Sequence, residues 1–98
     1  MAVIVVHDLP GATQAQYEQV TNTMTGGRGM VKTSSDWPVP GLISHVTGPT
    51  PTGWIVVDVW ESAQAWQQFA EKLMPLTREA GLPEVEPKVY EAVNLVIA

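Results

Sequence analysis

The sequence predicts one α+β domain over residues 1–98, with the element order β-α-β-β-α-β. Three observations predict it. Gly53–Pro75 (GWIVVDVWESAQAWQQFAEKLMP) switches within two residues from a period-2 to a helical pattern. Ala2–Asp8 is a short β-branched run stopped by Leu9-Pro10-Gly11, and a capped helix follows it. Lys88–Ile97 returns to alternation after the stop at Gly81. A chain of 98 residues supports one modest core and gains from oligomerisation.

Each element has a local cause. Ala2–Asp8 reads as a buried strand. Thr13 opens the first helix, because T-x-x-Q with Gln16 lets two side chains satisfy orphan backbone N–H groups. That helix carries Tyr17, Val20 and Met24 on one stripe and ends before Gly26-Gly27. Thr25–Pro40 is long for a connection and reads as either a lid carrying Trp37 and Arg28 or a disordered loop. Gly41–Thr47 is the second strand, Gly48–Gly53 a turn, and Gly53–Trp60 the third strand. Ser62 caps a second helix whose Ala65, Trp66, Phe69, Ala70, Leu73 and Met74 recur at helical spacing. Pro75 is expected to break or kink it, with a short helical piece continuing to Ala80. Lys88–Ile97 is the last strand. The order is that of the split βαβ, ferredoxin-like pattern, a four-stranded antiparallel sheet with both helices on one face.

Alternation then sorts the side chains. The third strand carries Trp54, Val56, Asp58 and Trp60 on one face and Ile55, Val57 and Val59 on the other. The uniformly β-branched set is expected under the helices, with Leu42 and Val46. A hairpin centred between Thr50 and Pro51 sets His45 opposite Val56, on the face of Trp54, Asp58 and Trp60. The last strand adds Tyr90 and Asn94 there. The open sheet face is thus expected to gather aromatic walls around a few polar groups, the make-up of a small-molecule pocket.

Composition removes several functions. Net charge is −5 and the five Lys and Arg residues are dispersed, so no stripe can track nucleic-acid phosphates. There is no cysteine, which excludes disulfides, thiolate metal sites and cysteine nucleophiles and suits a reducing, cytoplasmic setting. No segment approaches the roughly 18 apolar residues of a membrane span. His7-Asp8 invites a metal reading, but no H-x-x-x-H pair supports it and no metal is expected. Gly26-Gly27-Arg28-Gly29 lacks the Lys-Ser/Thr of a phosphate loop.

GLISHVTGP, GWIVVDVWESAQAWQQF and the tail LMPLTREAGLP with KVYEAVNLV resemble the dimeric α/β-barrel superfamily, near its antibiotic-biosynthesis monooxygenase group. The similarity runs from Ala2 to Val96 outside the Thr25–Pro40 loop. One departure is Val93, where many relatives carry His. The resemblance implies a homodimer closed through the open sheet faces. It also implies binding of a small apolar or aromatic molecule, and an oxygenation that uses no metal, flavin or other cofactor.

On that reading His45 is the candidate general base, with Asp58 orienting it, and Trp54, Trp60, Tyr90 and Asn94 contact the substrate. A bland reading stands beside each. His45 and Asp58 can be satisfied polar groups of a dimer interface, and the indoles can simply fill it. Trp66, Phe69 and Tyr17 read as packing. The alternative functions are a non-enzymatic dimerising or ligand-binding protein and a haem-binding protein.

Overall fold

The computed structural model describes residues 1–98, the side chain of Ser34 excepted. It contains β1 (Val3–Pro10), α1 (Gln14–Met24), β2 (Leu42–Thr50), β3 (Gly53–Trp60), α2 (Ala63–Glu79) and β4 (Lys88–Glu91), with one 3-10 turn over Ser34–Asp36. The strands form one antiparallel sheet in the order β2-β3-β1-β4. This is the ferredoxin-like α+β arrangement expected from the sequence.

Both helices start where their caps put them. Thr13 and Gln16 form the reciprocal capping box, and the Ser62 hydroxyl accepts from the Ala65 N–H at 3.1 Å. Each cap stabilises its helix by about 1 kcal/mol. α2 does not break at Pro75 but runs through it to Glu79. Proline removes the bond to the Glu71 carbonyl, yet Glu71 and Pro75 are both exposed, so water can take that carbonyl.

The hairpin differs from the expected one by two residues. The turn is only Pro51-Thr52, and His45 pairs with Asp58 rather than Val56. Strand β2 therefore extends through Pro49. It is an edge strand, where a missing N–H breaks no ladder. A shift of two preserves the faces, so His45 still shares a face with Asp58. A bulge between Leu42 and Ser44 brings Leu42 opposite Trp60, onto the face packed by that indole and not with Val46.

The sheet faces are the reverse of the expectation. Trp54, Asp58 and Trp60 lie under the helices, while Ile55, Val57 and Val59 are half-buried on the open side, where Val46 is 65% exposed. The reason is size and partnership. Trp60 packs on Phe69 and Trp66 at ring distances of 5.0 and 6.3 Å, and Trp54 packs on Tyr17 at 5.5 Å. Each indole buries roughly 150–250 Å², more than a valine can. The carboxylate between them is tolerated because it is paired.

β4 is also shorter than expected. It pairs with β1 from Lys88–Val6 to Glu91–Val3, and one further bond joins the Ala92 N–H to the Ala2 carbonyl at 2.9 Å. β1 begins at Val3, so the pairing runs out there and residues 92–98 leave the sheet. The Thr25–Pro40 connection is folded down onto the domain. Asp36 accepts from the Lys32 and Thr33 N–H groups and pairs with Arg28 at 3.2 Å, and Trp37 and Val39 enter the core.

A Cβ at Gly53 would collide with the Leu9 carbonyl and lie 2.7 Å from the Gly11 nitrogen, whereas one at Gly48 would meet nothing within 4 Å. Gly53→Ala is therefore expected to lower the melting temperature by several degrees more than Gly48→Ala in differential scanning calorimetry.

Candidate active site

The site is assembled on the helix-covered face, between two apolar clusters. One cluster holds Val3, Val5, Trp60, Trp66 and Phe69; the other holds Leu9, Ala12, Tyr17 and Trp54. Asp58 touches the first cluster, with its Oδ2 accepting from the Trp60 indole at 3.4 Å. It reaches the second through His45. Asp58 Oδ1 lies 2.6 Å from His45 Nδ1, and His45 Nε2 lies 2.6 Å from the Tyr17 hydroxyl.

A carboxylate only accepts, so Nδ1–H donates to Asp58; in the tautomer whose Nε2 carries no proton, the Tyr17 O–H donates to Nε2. Asp58 is 1% exposed. A carboxylate buried so completely needs such partners, because removing one partner of a buried pair costs about 3–5 kcal/mol. Burial, reinforced by the Asp58 charge, pushes the Tyr17 phenol up to about 12, so at neutral pH it is a firmly protonated donor.

Trp37 covers this line of groups. Its ring lies 4.7 Å from the His45 ring and 5.3 Å from Phe69. The Trp37 and Trp54 indole nitrogens are buried without a hydrogen-bond partner among the described residues. A cavity of about 60 Å³ opens beside the line, walled by Tyr17, Trp37, His45, Asp58, Phe69 and His7. It adjoins an outer cleft of about 420 Å³ between the second half of α2 and the Leu82–Pro87 segment. His7 lines both. Burial lowers the His7 pKa, with the Asp58 charge opposing and His45 adding to the lowering.

Of the six residues the sequence offered, His45 and Asp58 line the cavity, while Trp54 and Trp60 lie behind them in the core and line neither the cavity nor the cleft. His45 and Asp58 are in contact, Trp60 bonds Asp58, and Trp54 packs on Tyr17. Tyr90 is not among them: it pairs with Ile4 on the open face and is exposed. Asn94 lies beyond β4, exposed. Three residues that the sequence reading placed elsewhere line the cavity: Tyr17, read as packing, His7, weighed only as a metal ligand, and Trp37, read as carried by a lid or a disordered loop. Tyr17 sits on the α1 stripe that faces the sheet. His7 alternates with Val3, Val5 and Leu9, a signal that was available. Trp37 comes from an irregular segment with no period to read. No cluster of His, Asp or Glu suited to a metal occurs among the described residues, and no helix is long and apolar enough to cross a membrane.

Comparison with known proteins bears on the fold. No family model and no curated protein sequence matches this chain. The fold is similar to that of SnoaB, a cofactor-independent oxygenase from Streptomyces nogalater. The superposition has a TM-score of 0.60 at 15% identity and covers 97% of this chain and 95% of that one. A point mutant of SnoaB matches over the same shares, with a TM-score of 0.61 at 14% identity.

The raised Tyr17 pKa makes stability depend on pH in one direction. The unfolded chain loses the phenol proton near its ordinary value of 10.0 and the folded chain near 12. The contribution is therefore complete below pH 10 and disappears as pH rises toward 12. Urea unfolding across that window should show a loss of about 2–3 kcal/mol that Tyr17→Phe removes.

Proposed function

We propose that this protein is a homodimeric, cofactor-independent oxygenase acting on a small, flat, phenol-like molecule. The observation that carries the proposal is the buried Asp58–His45–Tyr17 line opening onto an apolar cavity. The similarity of fold to SnoaB is consistent with the reaction class.

The chemistry requires a base, a donor and a dry site. His45 Nε2 is occupied by Tyr17, so a substrate proton reaches it as a relay. The Tyr17 oxygen receives the substrate proton while its own passes to His45, and Asp58 stabilises the imidazolium that forms. The substrate anion gives one electron to dioxygen. The resulting radical and superoxide recombine to a peroxide, and loss of water with the second C–H proton leaves a ketone. One oxygen atom ends in the product and one in water. The substrate supplies every electron, so no further reductant is needed. Trp54 and Trp60 hold the two ends of the line in place from the core, and Trp37 excludes water.

A dihydroxyanthrone, flat and bearing an acidic methylene, is a suitable probe. Dioxygen uptake in the presence of a chelator is expected, and His45→Ala should lower it roughly hundredfold or more. Unchanged turnover in a folded His45→Ala variant would remove His45 as the base. A second reading draws on the same geometry: both His45 nitrogens are already satisfied, as in a purely structural network. Binding of the probe without dioxygen uptake would favour that ligand-binding role. A Soret shift on adding haemin would instead favour haem binding.

The dimer surface is the open sheet face. Val57 and Val59 are half-buried there, Val46 and Tyr90 are exposed beside them, and Val93, Val96 and Ile97 follow in the tail. An apolar sheet face of this kind requires a cover. Light scattering at micromolar concentration should give a dimer, and Val57→Lys a monomer. A monomeric wild-type protein would contradict this assignment.

A further inference from the structure

We propose that His7 is the ligand-facing imidazole of the site, hydrogen-bonding an oxygen of the bound molecule at the neck between the inner cavity and the outer cleft. This rests on the reading of that cavity as a ligand site, and goes beyond it by assigning the group that selects a hydroxylated ligand. The volumes locate the neck. The inner space of about 60 Å³ is well below the ~150 Å³ that a benzene-binding cavity offers. It takes only a reactive edge or a dioxygen molecule. The outer cleft, at about 420 Å³, lies within the ~300–1,000 Å³ of ordinary ligand pockets and takes the body of the molecule. A ligand that spans the two must pass the residues common to both, which are His7, Leu9, Leu73, Thr77 and Leu82.

Only two of these are polar. The Thr77 hydroxyl already donates to the Met74 carbonyl at 2.9 Å, inside its own helix. The His7 ring makes an edge contact with Trp66 at 5.3 Å and no side-chain hydrogen bond among the described residues. By contrast, both ring nitrogens of His45 are engaged. A neutral imidazole carries one donor and one acceptor, so His7 can meet either a hydroxyl or a carbonyl oxygen. Its position is fixed by the sheet. It pairs with Val56, two residues along β1 from Val5, which faces Asp58 across the ladder. Leaving such a group unpaired at an apolar neck has a cost that a bound oxygen relieves. The charged groups around the neck are Asp58 within, and Arg78, Glu84 and Glu86 on the outer rim. Arg78 and Glu84 pair with each other at 3.2 Å and leave the imidazole unspoken for.

The test uses naphthol and naphthalene, two probes of one shape that differ by a hydroxyl. Binding is read from tryptophan fluorescence. The wild-type protein should hold naphthol roughly tenfold more tightly than naphthalene, as one neutral hydrogen bond allows. His7→Phe, which keeps the ring against Trp66, should abolish the preference, and His7→Gln should restore part of it. The chain has only two histidines, so ring-nitrogen NMR supplies a reading without mutation. Naphthol should shift the His7 nitrogens and leave those of His45 nearly unmoved. A preference that survives His7→Phe in a folded protein, or a shift confined to His45, would overturn the assignment while leaving the cavity a ligand site. Failure of the wild type to bind either probe would overturn the ligand reading and this inference with it.

Discussion

A buried carboxylate needs partners, and the interior of this protein is arranged around that need. Asp58 sits in the middle of a sheet covered by two helices, almost without contact with water. An uncompensated charge there would cost more than a domain of this size can spare. His45 and Trp60 supply the compensation, and Tyr17 completes it by satisfying the far side of the imidazole. These bonds join β2, β3 and α1 through side chains alone. They also determine which sheet face is inside, since a face carrying Asp58 is stable only where those partners can reach it.

The same constraint links packing to chemistry. Two apolar clusters flank the polar line, and neither closes over it completely. The space left is small beside Tyr17 and His45 and wide beyond His7. A low-dielectric pocket strengthens hydrogen bonds and charge interactions within it. That is the setting the proposed relay through Tyr17, His45 and Asp58 requires. Trp37 contributes by burying its ring against His45 and Phe69, although it comes from the least regular part of the chain.

Much of this was legible in the sequence, and the failures have physical causes. The element order, both N-caps and the sharing of a face by His45, Asp58, Trp54 and Trp60 follow from period and capping chemistry. Parity is robust, so a two-residue error in hairpin register left the set intact. The inside–outside assignment failed because β-branched residues suit any partly buried strand surface, covered or not. Alternation therefore cannot say which of two apolar faces the helices take. The indoles and the pairable carboxylate decided it. Tyr90 lies within β4 but pairs with Ile4, so it stays on the open face while Trp54, Asp58 and Trp60 turn to the helices. Asn94 was placed by extending β4 past the point where β1 ends, and strand length depends on a partner that local sequence does not display. Tyr17 looked like packing because an aromatic on a helical stripe normally is. Its hydroxyl became part of the site only when His45 was brought opposite.

The central claim is that the helix-covered face, and not the open sheet, holds the site. A crystal structure with bound naphthol tests it most directly. The ring system is expected in the cleft between α2 and the Leu82–Pro87 segment, with its hydroxyl edge at His7 and turned toward Tyr17. Naphthol bound on the open face beside Tyr90 and Val57, with the space around His45 and His7 unchanged, would contradict it.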